Sequence, residues 1–354
     1  MIGLDHPEDL TAWSRWQRRR NLLRETKAAA STLLQRREPS VDAVVLHVAD
    51  GNPRLLVALD ATTPTKIAAL IRPMRHLAGR VPVAVLAPGD ISAQLPGEGW
   101  AVRRIPRTLA GLDAQRGSGG TLGRIDSVMS AGHYLPVGSL LDAWAQSHGL
   151  RKWIVQHGLL TPKAPPLPHE AHLLAFTEAD GRFWASGRRD IEIHPVGSQL
   201  LHEAGRLARV GTKTSAAPVF LGQLHGVELS KPGLVASTRR FCRDTGAVYR
   251  PHPGEKDLFS RTIHRWWERE GIEFDRSGEA LTDLRSPVVS TFSTGVLEAA
   301  ARGLDAWVYH SRPPAWLREF WQRYGMNQWG EAPTPAPDPL HDEPARLIAD
   351  IVSH

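Results

Sequence analysis

The stretch VVSTFSTGVLEAAARG at 288–303 decides the fold class of this chain. Val288 and Val289 make a short strand-forming run. Ser290, Thr291, Ser293 and Thr294 then offer hydroxyls that can cap a helix, which continues through Leu297 and Ala301, and Gly303 is placed to end it. A strand feeding a helix through a capping turn is one half of the βαβ unit from which parallel sheets are built.

Working outward, the pattern repeats. Strand-like runs are predicted at 219–221, 247–250, 272–274 and 306–309, with helical spacing at about 232–244, 257–269, 294–302 and 313–324. Towards the N-terminus, strand-like runs fall at 44–48, 55–59, 83–86, 101–105, 127–131, 152–156 and 173–176. Helical spacing covers 64–77 and 137–148. A polar stretch, RVGTKTSAA at 209–217, separates the two series.

The predicted fold is α/β, with two doubly wound Rossmann-like domains facing a central cleft. A basic helical segment at 1–40 precedes an α/β domain at 41–208. The linker at 209–217 leads to a second α/β domain at 218–331. A proline-rich connector and a C-terminal helix complete the chain at 332–354.

Composition narrows the class. The 354 residues are 42% hydrophobic and 23% charged, as in an ordinary globular protein. No run approaches the roughly 18–20 apolar residues of a membrane span, and MIGLDHPEDL lacks the pattern of a secretory signal. The single cysteine, Cys242, excludes an internal disulfide and reads as a buried thiol. A cytoplasmic protein is expected.

The net charge of +6 favours anionic partners. Residues 1–40 hold eight basic and five acidic side chains, with Trp13 and Trp16 on one helical face ahead of Arg18, Arg19 and Arg20. That segment suits either peripheral contact with the inner face of a membrane or a helix packed on its own domain. Nucleic acid is disfavoured as a partner, because no further aromatic-interleaved basic surface is evident.

Three constellations carry candidate chemistry. Gln156-His157-Gly158 follows an apolar run, so His157 projects where open α/β sheets bind ligands. Its imidazole can take a proton from a hydroxyl nucleophile, and Gly158 would let the backbone turn behind it. In Tyr249-Arg250-Pro251-His252-Pro253-Gly254-Glu255, two prolines restrict the backbone around His252, and Arg250 offers charge to a phosphate. In the third, Ser293, Thr294 and the Gly295 amide open a helix whose N-terminus favours anions, and Glu298 lies one turn on, within reach of ribose hydroxyls. Each has a plainer alternative: a loop histidine, a proline-built turn, an ordinary capped helix. No metal-ligand spacing is evident, and none is required if these groups supply the positive field.

In order and spacing, the three motifs over about 152–309 resemble the GT-B transferases of bacterial surface polymers, above all the CDP-glycerol glycerophosphotransferases of teichoic acid synthesis. The second and third also resemble the His-Pro and Ser-Ser/Thr motifs of bacterial sialyltransferases. Gln156 stands where the teichoic enzymes carry a tryptophan, and Thr291 and Phe292 where they carry aspartate and tyrosine.

The resemblance implies a GT-B-type glycosyltransferase or glycerophosphotransferase of cell-wall, capsule or teichoic acid-like polymer synthesis. The first domain would take the acceptor and the second the nucleotide donor. His157 would be the catalytic base or transition-state stabiliser. His252 with Arg250 would bind the donor phosphate, and Ser293 and Thr294 would supply phosphate-binding hydroxyls. A sugar or glycerophosphate group would pass from a CDP- or CMP-linked donor to a hydroxyl of a glycan or lipid-linked acceptor, with no cofactor. A nucleotide-sugar 2-epimerase and a non-catalytic phosphate-ligand binding protein are the alternatives.

Overall fold

A computed structural model describes residues 3–20, 42–49, 51–117, 119–207, 217–338 and 341–354. The chain is α/β, with one mixed eight-stranded sheet and one parallel four-stranded sheet, compatible with a Rossmann-like fold. It divides into two compact units. Described residues of the first lie within Met1–Ser14, Ala30–Leu200 and Leu340–His354, and those of the second within Arg15–Ala29 and Leu201–Pro339.

The first unit is built on strands β1 (Ala43–Val48), β2 (Leu55–Ala58), β3 (Val83–Ala87), β4 (Ala101–Pro106), β5 (Ser127–Ser130), β6 (Arg151–Val155), β7 (Ala171–Ala175) and β8 (Glu192–Pro195). Their order across the sheet is β4-β1-β3-β2-β5-β6-β7-β8. Alternation along each strand feeds two layers. Leu55 and Val57 face Leu70, Met74 and Leu77, whereas Leu56 faces Leu141 and Trp144.

The sheet corrects the expectation of a purely parallel arrangement. β1 runs antiparallel to both β3 and β4. Every residue of β1 after Ala43 is buried, as in a central parallel strand, so its apolar content carries no information about direction. β8, with sequence EIHP, lies at the sheet edge and lacks the apolar run that would have marked it.

The helical spacing at 64–77 is also interrupted. Pro64–Lys66 and Met74–Leu77 flank a π-helical stretch, Ile67–Ile71, in which the Arg72 amide bonds to the Ile67 carbonyl. Pro73 has no N–H to continue the ladder and its ring crowds the preceding turn.

Helix α1 (Leu10–Arg20) begins the described chain's secondary structure. Trp13 is buried, donates to the Lys163 carbonyl at 2.8 Å and meets Tyr134 edge-on, while Arg18, Arg19 and Arg20 are exposed. The rest of the expected basic segment, 21–40, lies outside the described residues. At the other end of the chain, the helix Pro344–Val352 puts Ile348, Ala349 and Val352 into the core of the first unit.

The second unit carries β9 (Val219–Leu221), β10 (Val248–Arg250), β11 (Val288–Ser290) and β12 (Ala306–Val308), all parallel, in the order β10-β9-β11-β12. Of the predicted strand at 272–274, only a bridge from Phe274 to Tyr249 forms. The chain leaves β9 on one side to make β10 and crosses to its other side for β11. The crevice at such a reversal, outside the strands' carboxyl ends, is where ligands bind in this kind of sheet.

The linker at 209–216 lies outside the described residues. Cys242 is buried on helix Lys231–Thr245, and burial pushes its thiol up to about 12. Among the described residues no helix is long and apolar enough to cross a membrane.

Candidate functional site

In the second unit the site assembles around the carboxyl ends of β9, β10 and β11. The loop after β9, Gly222-Gln223-Leu224-His225-Gly226, ties the other two together. The Gln223 side-chain oxygen accepts from the Phe292 amide at 2.9 Å and lies 3.2 Å from the Ser290 hydroxyl, spanning the β9–β11 crevice. On the other side, the His225 ring stacks on His252 with centroids 3.8 Å apart and planes 15° from parallel.

The loop carrying His252 is anchored by Glu255. One oxygen of this buried carboxylate, Oε2, accepts from the Tyr249 hydroxyl at 2.8 Å and lies 2.9 Å from His264 Nε2, and the other, Oε1, accepts from the Leu224 amide at 2.8 Å. Gly222 is obligatory beside it, since a Cβ there would lie 2.3 Å from the Tyr249 hydroxyl oxygen.

His252 Nδ1 accepts from the Gly254 amide at 3.0 Å. The neutral ring therefore carries its proton on Nε2, as assigned from that hydrogen bond. Burial lowers the His252 pKa, with Glu255 opposing, so the neutral donor form is favoured near neutrality.

Two of the expected donor-site groups have partners within the unit. The Arg250 guanidinium is not a free charge: it pairs with Asp275 at 3.3 Å and donates to the Glu279 carbonyl. The Gly295 amide, expected to face a phosphate, donates instead to the Ser293 hydroxyl oxygen at 3.1 Å, which makes Ser293 the N-cap of helix Thr294–Ala301. Gly295 packs closely, and a Cβ there would lie 2.7 Å from Leu221 Cδ1, so that side chain would have to shift. Ser293 keeps its hydroxyl hydrogen for donation, and Thr294 begins the helix beside it. Glu298 is half-buried on the same helix, and burial pushes its carboxyl up to about 7. Gly303, with φ 81°, ends the helix as the sequence indicated.

In the first unit, His157 follows β6 and lines a small cavity with Thr65, Ala68, Phe176, Ser198 and Gln199. The turn is held differently from the expectation. Gly158 has no positive φ and a Cβ there would meet nothing within 4 Å, so glycine's freedom is not what shapes it. Gln156 does so: buried, it donates to the Gly158 carbonyl at 3.0 Å and to Asp180 at 3.2 Å, and accepts from the Phe176 amide at 2.8 Å.

His157 Nδ1 is buried without a hydrogen-bond partner. Burial first, and the charge of Lys66 second, lower its pKa to about 4. Lys66 is itself buried, which lowers its pKa against the attraction of Asp60. Asp60, just past β2, accepts from the Val137 and Gly138 amides at 2.8 and 3.0 Å, capping helix Pro136–His148.

No protein-family model matches this sequence, and none of the curated proteins compared with it is significantly similar. The site residues therefore stand on geometry.

Sequence reading missed Gln223 and His225, and Asp60 with Lys66. Gln223, His225 and Asp60 follow predicted strands, so their signal is a polar residue just beyond a strand's carboxyl end, whereas Lys66 lies on the helix after β2 and carries no such signal. What the sequence did not show is that the β9 loop touches both of its neighbours.

Proposed function

We propose that the chain is a GT-B-type transferase that moves a sugar or glycerophosphate group from a cytidine-linked donor to a hydroxyl acceptor. The observation that carries this reading is the arrangement in the second unit. A neutral imidazole with Nε2–H, stacked on a second imidazole, shares the carboxyl edge of a parallel sheet with the hydroxyl-capped start of a helix. Such neutral donors and a helix N-terminus suit the phosphate oxygens of a nucleotide.

In this reaction the acceptor oxygen bonds to carbon or phosphorus of the donor as the bond to the nucleoside phosphate breaks. The acceptor's proton goes to His157. His252, Ser293 and Thr294 hold the charge left on the departing phosphate. His157 is a weak base in the free protein, and an anionic substrate nearby would raise its pKa towards the working range. Protonated Glu298 would donate to a ribose oxygen.

The test is a thermal-shift comparison of CMP, CDP, UDP and GDP on the wild-type chain, His252→Ala and His157→Ala. Ligands that bind only the folded state stabilise it by mass action. Cytidine nucleotides are expected to stabilise the wild type and His157→Ala, and to lose their effect in His252→Ala. An equal shift in His252→Ala, or none in the wild type at millimolar nucleotide, removes the donor site. Turnover without any acceptor would favour the epimerase reading instead.

A further inference from the structure

We propose that the first unit binds one divalent transition-metal ion of the Zn2+ type through His172, Glu192 and His194, fastening the edge strand β8 to β7. The parallel register sets His172 opposite Glu192, and His194 follows two residues later on the same face. His172 Nδ1 lies 3.0 Å from one Glu192 oxygen and His194 Nε2 lies 3.2 Å from the other. The three ligand atoms stand within 4.8 Å of one another. Donors around a tetrahedral Zn2+, each about 2.0–2.1 Å from the metal, stand roughly 3.3 Å apart.

At those distances each histidine can pair with Glu192, but the alignment favours a shared ion over directed hydrogen bonds. Both ring nitrogens, His172 Nδ1 and His194 Nε2, are buried atoms and neither is well aligned for a hydrogen bond to the carboxylate beside it. Leaving two such atoms unsatisfied is costly, whereas coordination to a shared cation would use both lone pairs.

The surroundings suit a metal. Trp153, in register with His172 on β6, is buried beneath the cluster, with its ring 4.7 Å from His172 and 5.8 Å from His194. This apolar wall lowers the local dielectric and limits water on one side. Glu192 is exposed, so the cluster is open to solvent on the other. Three protein ligands leave a fourth position for water.

The opposing charge is Arg151, which lies over the Trp153 ring at 5.7 Å. The cluster is separate from the cavity at His157. His172 is four residues before Phe176, which lines that cavity, or on the order of 13 Å along the strand. A metal here would clip an edge strand that otherwise has a neighbour on one side only.

The experiment is calorimetric titration of the chelator-treated full chain with Zn2+ at neutral pH, with unfolding followed in parallel. One ion per chain is expected to bind and raise Tm. His172→Ala and His194→Ala should each weaken that site by at least about 100-fold. His169→Ala, at a nearby exposed histidine, should leave it unchanged. Glu192→Gln, at an exposed position where the fold tolerates change, should weaken binding while Tm without metal stays close to wild type. The proposal is overturned if the wild type shows no saturable one-to-one site, or if His172→Ala and Glu192→Gln bind Zn2+ as the wild type does.

Discussion

The two units hold their candidate residues in opposite ways. In the first, Lys66 is buried and His157 and Asp60 are half-buried, and desolvation with a neighbouring cation controls the imidazole. In the second, His252 keeps an exposed edge while its ring is part-buried, and its direction is fixed by a hydrogen bond and a stacked ring above a loop anchored on buried Glu255. A buried titratable group suits proton transfer, and an open array of oriented donors suits anion binding. The contrast supports a division between chemistry in one unit and donor recognition in the other.

The largest expected effect tests that division directly. His157→Ala should lower kcat by on the order of 10²–10⁴ while donor affinity is retained. His252→Ala should instead weaken donor binding by about 10–100-fold. Steady-state kinetics with a separate nucleotide titration would expose a reversed pattern, which would break the comparison.

Next in size is the anchor of the donor loop. Glu255→Ala leaves Tyr249 and His264 buried without their acceptor, and should destabilise the second unit by about 3–5 kcal/mol. Denaturant unfolding would read this as a lower midpoint. A midpoint close to wild type would show that Glu255 does not hold the loop.

The units should also respond to pH with opposite sign. His157 has a folded pKa of about 4, below its unfolded value of 6.5, so the unfolded chain binds the proton more tightly. Its contribution is present above pH 6.5 and is lost as pH falls towards 4. At most about 3 kcal/mol is involved. Glu298 has a folded pKa of about 7 against 4.5, so the folded chain holds the proton more tightly. Its contribution is present below pH 4.5 and is lost as pH rises through 7. Stability measured against pH should therefore flatten on the acid side in His157→Gln and on the neutral side in Glu298→Gln. If both variants flatten the same limb, one of these environments is wrong.

The smallest effect concerns the helix cap. Ser293→Ala removes the acceptor for the Gly295 amide and should cost about 1 kcal/mol. Ser293→Asp would keep the cap but place a negative charge where the donor phosphate is proposed to sit. Nucleotide-induced stabilisation should then disappear although the helix remains. Retained nucleotide binding in Ser293→Asp would move the phosphate elsewhere.

Much of this protein was legible in its residues. Strand positions in both units, the helix start at Ser293 and its end at Gly303 follow from β-branched runs, hydroxyl caps and glycine, each of which acts within a few residues. The positions of His157 and His252 just beyond strands were legible for the same reason. β8 was not, because an edge strand needs no continuous apolar run, and Glu192-Ile193-His194-Pro195 has none.

Tertiary structure alone decided the rest. The antiparallel direction of β1, the pairing of Arg250 with Asp275, the stacking of His225 on His252 and the meeting of His172 with His194 all join residues through the sheet or through loops at its edge. Local propensity sets which segments become strands and where they stop. It carries no term for which strand lies beside which, and that ordering determines which polar side chains finally meet.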